Sequence, residues 1–266
     1  MTGRRTDSPV KWVTPTSRRD QSQPRMRLFC FAHAGGGTAL FQPWRSALGP
    51  DIDVCPVLLP GRESRRRETP ERRVEPLLEP LFDELLPLAD RPYALFGHSM
   101  GTVLAFEMAQ RFARRHWRQP SALLVSGRRP PHLPSRRPPY ASLPDAEFLA
   151  AVASLNGTPD AMLESPDLLR LFLPALRADF ELVEAYRPSG ADVLSCPVEV
   201  LLATSDPEIN RTEADEWARW TTGRFAVTKF PGDHFYLASG RRDVVSFVGG
   251  RLSPADTSPS LEFPKN

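Results

Sequence analysis

Apolar residues along the chain fall into short unbroken runs, separated by stretches in which they recur every three or four positions. The runs at 26–31, 52–59, 93–96, 121–126, 198–203 and 225–230 predict strands buried on both faces. Between the early runs, Phe41, Trp44 and Leu48 share one face of a short helix. Residues 74–88 repeat at helical spacing, with an interruption expected near Pro80 and an end near Pro87. Residues 102–114 and 244–252 read as further helices. Such alternation of strand and helix implies a mostly parallel sheet with helices on both faces. The rhythm breaks after Ser126, where 127–140 is heavy in proline and arginine, and three helical segments follow at 143–155, 168–173 and 176–186 with no strand between them. An all-helical insertion between two sheet strands predicts a lid, at about 130–190, over whatever site the sheet carries.

The ends of the chain lack this pattern. Residues 1–25 are rich in Arg, Ser, Thr, Pro and Gln and read as a disordered leader, and 253–266 as a disordered polar tail, which leaves one catalytic domain at 26–252. With 266 residues and 41% hydrophobic content, the chain is long enough to bury the core of a single α/β domain. Cys30, Cys55 and Cys196 are odd in number, far apart and mostly set in apolar runs, so they read as buried thiols rather than a disulfide framework or a zinc site. No apolar stretch approaches ~18 residues and no signal peptide is evident, so a cytoplasmic protein that does not enter a membrane is expected. The formal charge of +2 gives no reason to expect nucleic acid as a partner. Arginines bunch at 65–67, 114–115, 128–129 and 136–137, where solvated surface is the default reading.

Chemistry concentrates at Gly97-His98-Ser99-Met100-Gly101, which lies between a predicted strand and a predicted helix. A G-x-S-x-G sequence in that context is a nucleophile elbow, in which glycines flank a serine forced onto a sharp strand-to-helix turn. The glycine cluster Ala32-His33-Ala34-Gly35-Gly36-Gly37 follows the first strand, and bare backbone there can make an oxyanion hole from the amides of Ala34 and Met100. Asp206 follows the strand at 198–203 and His234 follows the strand at 225–230, so both emerge where open sheets place their active-site crevice. Ser99, Asp206 and His234 occur in the order of an α/β-hydrolase triad, and the fold is expected to be that one. Asp233 is the alternative acid, although neighbours in an extended segment point in opposite directions. Arg62 in Gly61-Arg62-Glu63 could bind an anion, but beside an acidic residue it reads more readily as structural. The arrangement requires no metal and no cofactor.

The segments Phe31-Ala32-His33-Ala34-Gly35-Gly36, Leu59-Pro60-Gly61-Arg62-Glu63, Gly97-His98-Ser99-Met100-Gly101, Leu143-Pro144-Asp145, Gly157-Thr158-Pro159, Leu176-Arg177-Ala178-Asp179-Phe180 and Asp233-His234-Phe235 stand in this order along the chain. Together they resemble the type II thioesterases of polyketide and nonribosomal peptide synthesis, over about 28–252. The resemblance implies a free-standing, monomeric editing enzyme that removes aberrant acyl groups from the phosphopantetheine arm of acyl or peptidyl carrier proteins. Rival readings are a chain-releasing thioesterase, a small-molecule carboxylesterase and a non-catalytic scaffold. Many chain-releasing domains carry their acid after the strand that follows the elbow, where this chain has Ser126-Gly127-Arg128 and no carboxylate. Because carrier proteins of this kind are acidic, docking on the arginines at 65–67 and 128–137 is a further expectation.

Overall fold

The structure, a computed structural model, describes residues 12–13, 24–155, 166–190 and 192–253, of which 166–169 by their backbone alone. Six strands form one sheet: β1 (Met26–Phe31), β2 (Ile52–Pro56), β3 (Tyr93–His98), β4 (Leu123–Ser126), β5 (Val198–Ala203) and β6 (Phe225–Phe230), in the order β2-β1-β3-β4-β5-β6. Every pairing is parallel, so all six carboxyl ends lie along one edge. Alternate residues of each strand feed two cores. Phe29, Leu95, Val125 and Val200 pack on one face with α2 (Glu75–Leu85) and α3 (Met100–Arg114). Leu28, Phe96, Leu124 and Leu201 pack on the other, with α1 (Gln42–Ala47) and α8 (Arg241–Leu252). The fully apolar runs follow from this two-sided burial.

Several expected boundaries shift. The second strand ends at Pro56, short of residue 59: Val57 still donates to Cys30 O at 2.9 Å but bridges antiparallel to Val13, and the chain then leaves β1. Trp12 and Val13, placed in the leader by sequence, therefore belong to the fold; Val13 is buried, while the rest of 1–23 and 254–266 lie outside the described residues. Helix α2 runs through Pro80 unbroken, since Leu77, Leu78, Leu81, Phe82 and Leu85 keep one continuous face in the core. The lid contains α4 (Asp145–Ala153) and a single helix, α5 (Pro166–Ala185), where the sequence suggested two pieces. Pro174 forfeits one backbone hydrogen bond, and the buried face of the helix, Ala175, Ala178 and Leu182, lies on its carboxyl side. Sequence reading also missed α6 (Arg211–Asp215) and α7 (Tyr236–Ser239). No helix among the described residues is long and apolar enough to cross a membrane.

Candidate active site

Ser99 stands between β3 and α3 with φ 54° and ψ −115°. The turn is tight because its glycines touch backbone. A Cβ on Gly101 would lie 2.0 Å from the Phe31 carbonyl oxygen, and one on Gly97 2.5 Å from the Thr102 amide nitrogen. Hydrogen bonds pin the turn to β4: the Ser99 amide donates to Ser126 O at 2.8 Å, and Thr102 Oγ1 donates to Gly97 O at 2.8 Å and Ser126 O at 3.0 Å. The elbow thus rests on its two neighbouring strands, β1 and β4.

Asp206 and His234 meet at the same edge. His234 Nδ1 lies 3.0 Å from each carboxylate oxygen of Asp206, and both side chains are buried. Asp233 turns away to accept from the Phe235 amide at 2.8 Å, which removes it as the partner of His234. Ser99 and His234 line one cavity of about 470 Å³, together with Ala34, Met100, Val103, Phe106 and the lid residues Leu155 and Phe180. Ser99 Oγ and His234 Nε2 are not hydrogen-bonded to each other here, and such contacts commonly tighten only around substrate. The Ala34 amide donates in none of the turn and loop backbone hydrogen bonds among the described residues, and Met100 is the first residue of α3.

Two more histidines stand behind His234. His98 packs its ring against that of His234 at 5.1 Å, and its Nδ1 bonds to Ser126 Oγ at 2.8 Å, which in turn bonds to Tyr236 OH at 2.7 Å. His33 packs edge-on against His98 and Phe235. Burial, and secondarily the nearby His234, push the His98 pKa well below its ordinary value; the same two causes and Arg62 lower His33 to about 4. Both are therefore neutral at pH 7, packing partners of His234 rather than further bases. A Cβ on Gly127 would meet His98 Cε1 at 2.8 Å and His234 Cε1 at 3.0 Å, so a carboxylate side chain has no room after β4.

The arginine bunches sort into different roles. Arg65 is buried, bonded to Glu68 and Leu58 O, with its guanidinium 4.0 Å over the Trp12 ring, so it leaves the expected docking surface. At the cavity wall, Arg129 and Arg136 both pair with Glu213 and Arg137 pairs with Glu208. Arg128 lines the cavity too, and burial lowers its pKa while the charge of Glu208 opposes that shift. Arg62 is also buried; it forms a bidentate pair with Asp179 of α5. Both residues lay in segments the sequence had singled out, but their partnership across 117 positions carried no sequence signal.

A parallel sheet with a serine elbow, and an acid and a histidine converging on the same edge, defines an α/β-hydrolase. Residues 26–252 match the family described as "Thioesterase domain", and the chain belongs to that family of hydrolases acting on thioester bonds. It is 34% identical to the gramicidin S biosynthesis protein GrsT of Aneurinibacillus migulanus, over 87% of this chain and 90% of that one. Among solved structures it is similar to the RedJ thioesterase of the prodiginine pathway in Streptomyces coelicolor, with 36% identity, a TM-score of 0.81 and coverage of 90% and 97%. It is likewise similar to the type II thioesterase BorB of the borrelidin cluster, with 34% identity, a TM-score of 0.79 and coverage of 91% and 96%.

Proposed function

We propose that this thioesterase edits a polyketide or nonribosomal peptide assembly line, hydrolysing stalled or aberrant acyl groups from the phosphopantetheine thiol of carrier proteins through an acyl-enzyme on Ser99. The observation that carries the chemistry is His234 Nδ1 at 3.0 Å from both Asp206 oxygens, beside the cavity that Ser99 lines. Asp206 holds the imidazole with Nδ1 protonated and Nε2 free toward the cavity. As Ser99 Oγ attacks the thioester carbonyl, Nε2 takes its proton, and the imidazolium is stabilised by the buried carboxylate. The carbonyl oxygen becomes an oxyanion facing the Ala34 and Met100 amides. Collapse breaks the C–S bond, and His234 returns the proton to the leaving thiolate. Water, deprotonated by the same nitrogen, then attacks the acyl-serine and releases the free acid.

The editing assignment draws on the similarity to type II thioesterases, BorB among them, and on the position of the acid. A chain-releasing domain with its acid after β4 would need the space that His98 and His234 occupy beside Gly127. The cavity falls within the range of small-molecule sites, roughly 300–1,000 Å³, and can take an acyl group. The test is a hydrolysis panel of acetyl, propionyl, longer acyl and aminoacyl groups loaded on a carrier protein, with simple esters alongside. Editing predicts turnover of several short acyl-carriers; preference for free esters would identify a carboxylesterase instead. Ser99→Ala and His234→Ala should each lower kcat by roughly 10³-fold to 10⁶-fold with the fold intact by circular dichroism, and Asp206→Asn by roughly 10⁴-fold. Near-normal turnover in Asp206→Asn would remove Asp206 as the acid.

A further inference from the structure

The loop that carries the Ala34 amide is held from outside by two charges. On its far side, Glu63 accepts from the Thr38 amide at 2.7 Å and from Thr38 Oγ1 at 2.6 Å. On the near side, Asp179 of the lid helix reaches the glycines themselves. Its Oδ2 accepts from the Gly35 amide at 2.7 Å and from Arg62 Nη1 at 2.8 Å, while Oδ1 accepts from Arg62 Nη2 at 2.7 Å. Arg62 Nη1 also donates to the Gly36 carbonyl at 3.0 Å. The Gly36 amide donates to the His33 carbonyl at 2.9 Å.

That last bond sets the direction of the Ala34 amide. The His33 carbonyl and the Ala34 N–H belong to one planar trans peptide and point in opposite directions, so fixing one fixes the other. Arg62 holds Gly36, Gly36 holds the His33 oxygen, and Asp179 holds the next peptide at Gly35. Gly35 has φ 75°, and a Cβ there would lie 2.8 Å from Leu176 Cδ1, so α5 sits directly on the loop. Glycines supply the required turn but no stiffness of their own. Both charged side chains are nearly excluded from solvent, and a buried bidentate pair whose Oδ2 also accepts from the Gly35 amide keeps one geometry.

We propose that the Arg62–Asp179 pair is a clamp by which the lid helix aims the Ala34 amide at the developing oxyanion, making Arg62 and Asp179 positioning residues for thioester hydrolysis. The inference rests on the reading of Ser99 as nucleophile and of the Ala34 amide as an oxyanion donor. It predicts a loss confined to the transition state. The neutral carbonyl of the ground-state substrate draws little on an amide donor, whereas a donor turned away from the oxyanion forfeits part of the roughly 10²-fold to 10³-fold that one such donor contributes.

The experiment compares the wild-type full chain with Asp179→Asn and Arg62→Lys on an acyl-pantetheine thioester. It also measures affinity for an alkyl boronic acid, whose tetrahedral adduct on Ser99 mimics the oxyanion, and for an unreactive alkyl-pantetheine thioether. The clamp predicts that kcat and boronate affinity fall by the same factor, about 10-fold to 100-fold, with thioether affinity and KM within about threefold of wild type. The double variant should be little worse than the worse single one, because both residues act on one loop. Thioether binding shows which variants are folded, and Arg62→Lys, which keeps the charge, serves if Asp179→Asn does not fold. Undiminished boronate affinity and kcat in a folded variant would overturn the clamp. Absence of any boronate adduct in wild type would instead overturn the Ser99 reading, and the clamp with it.

Discussion

At the scale of single residues, the site is made by backbone that cannot be otherwise. Ser99 adopts its left-handed conformation because Gly97 and Gly101 let strand and helix approach to a distance no side chain tolerates. Gly101→Ala should therefore cost on the order of 3 kcal/mol or more, read from urea unfolding, since its new methyl would displace the Phe31 carbonyl. His33 gives a pH-dependent prediction. Its pKa is lowered to about 4 in the folded protein, against about 6.5 when unfolded. Above about pH 6.5 both states are neutral and the group adds no pH dependence; between there and about 4 only the unfolded chain gains the proton, so stability falls as pH falls. His33→Asn should reduce that slope and leave the share contributed by His98, which burial also pushes down; an unchanged slope from pH 6.5 down to about 4 would exclude a contribution from His33. Ser99, Asp206 and His234 could be singled out in the sequence because each follows a run that reads as a strand. The pairing of Arg62 with Asp179 was not legible: both lie in segments that stand out, but nothing along the chain joins them.

Secondary structure elements were legible where apolar residues run together, even in the edge strand β6, most of whose residues are only half-buried although the run predicted burial on both faces. β1, β5 and β6 match their sequence runs residue for residue, while β2 loses its end at Pro56. The helix missed between β5 and β6, α6, is short, yet Asn210-Arg211-Thr212-Glu213 carries a reciprocal cap, with the Asn210 side chain accepting from the Glu213 amide and Glu213 from that of Asn210. In the lid, Phe148 and Val152 are core, Leu176 rests on Gly35, and Leu155 and Phe180 face the cavity. Leu169, another apolar residue of the lid, has a side chain outside the described residues. Leu171 and Phe172 on the same helix as Leu176 stay exposed, so only part of the lid's apolar surface is packed. Phe180→Trp should reduce turnover of long acyl groups by about tenfold while leaving acetyl within about twofold, because one added ring removes chamber volume where the chain ends. An unchanged chain-length profile would take Phe180 out of substrate selection. The lid is anchored at its far end by Glu107 of α3, buried, which accepts from Tyr186 OH at 2.7 Å and from the Ser189 amide at 3.0 Å.

For the whole molecule, the distribution of charge narrows what electrostatics can contribute to partner binding. Arg129, Arg136 and Arg137 at the cavity wall are already met by Glu213 and Glu208, so the surplus positive charge there is small. Raising salt from about 50 mM to about 500 mM should lower kcat/KM on an acyl-carrier protein only about threefold and leave an acyl-pantetheine mimic unaffected, because the field reaches only about one Debye length, ~10 Å at 0.1 M. Equal loss on both substrates would show that salt acts on the active site and not on docking.

The packing of Trp12 and Val13 reaches beyond catalysis. β2 is the outermost strand on its side of the sheet, and outer strands present unpaired amides and carbonyls to any passing chain. Val13 bridges to Val57 just beyond β2, Leu58 N donates to Trp12 O at 2.7 Å, and Arg65 covers the indole. Those two residues act as a selvedge, sealing one corner of the sheet against self-association. A chain begun at Met26, where the regular pattern starts, would keep every residue of the triad and still be a poorer protein to handle: more prone to aggregate on concentration, by light scattering, while each molecule that stays in solution turns over as before.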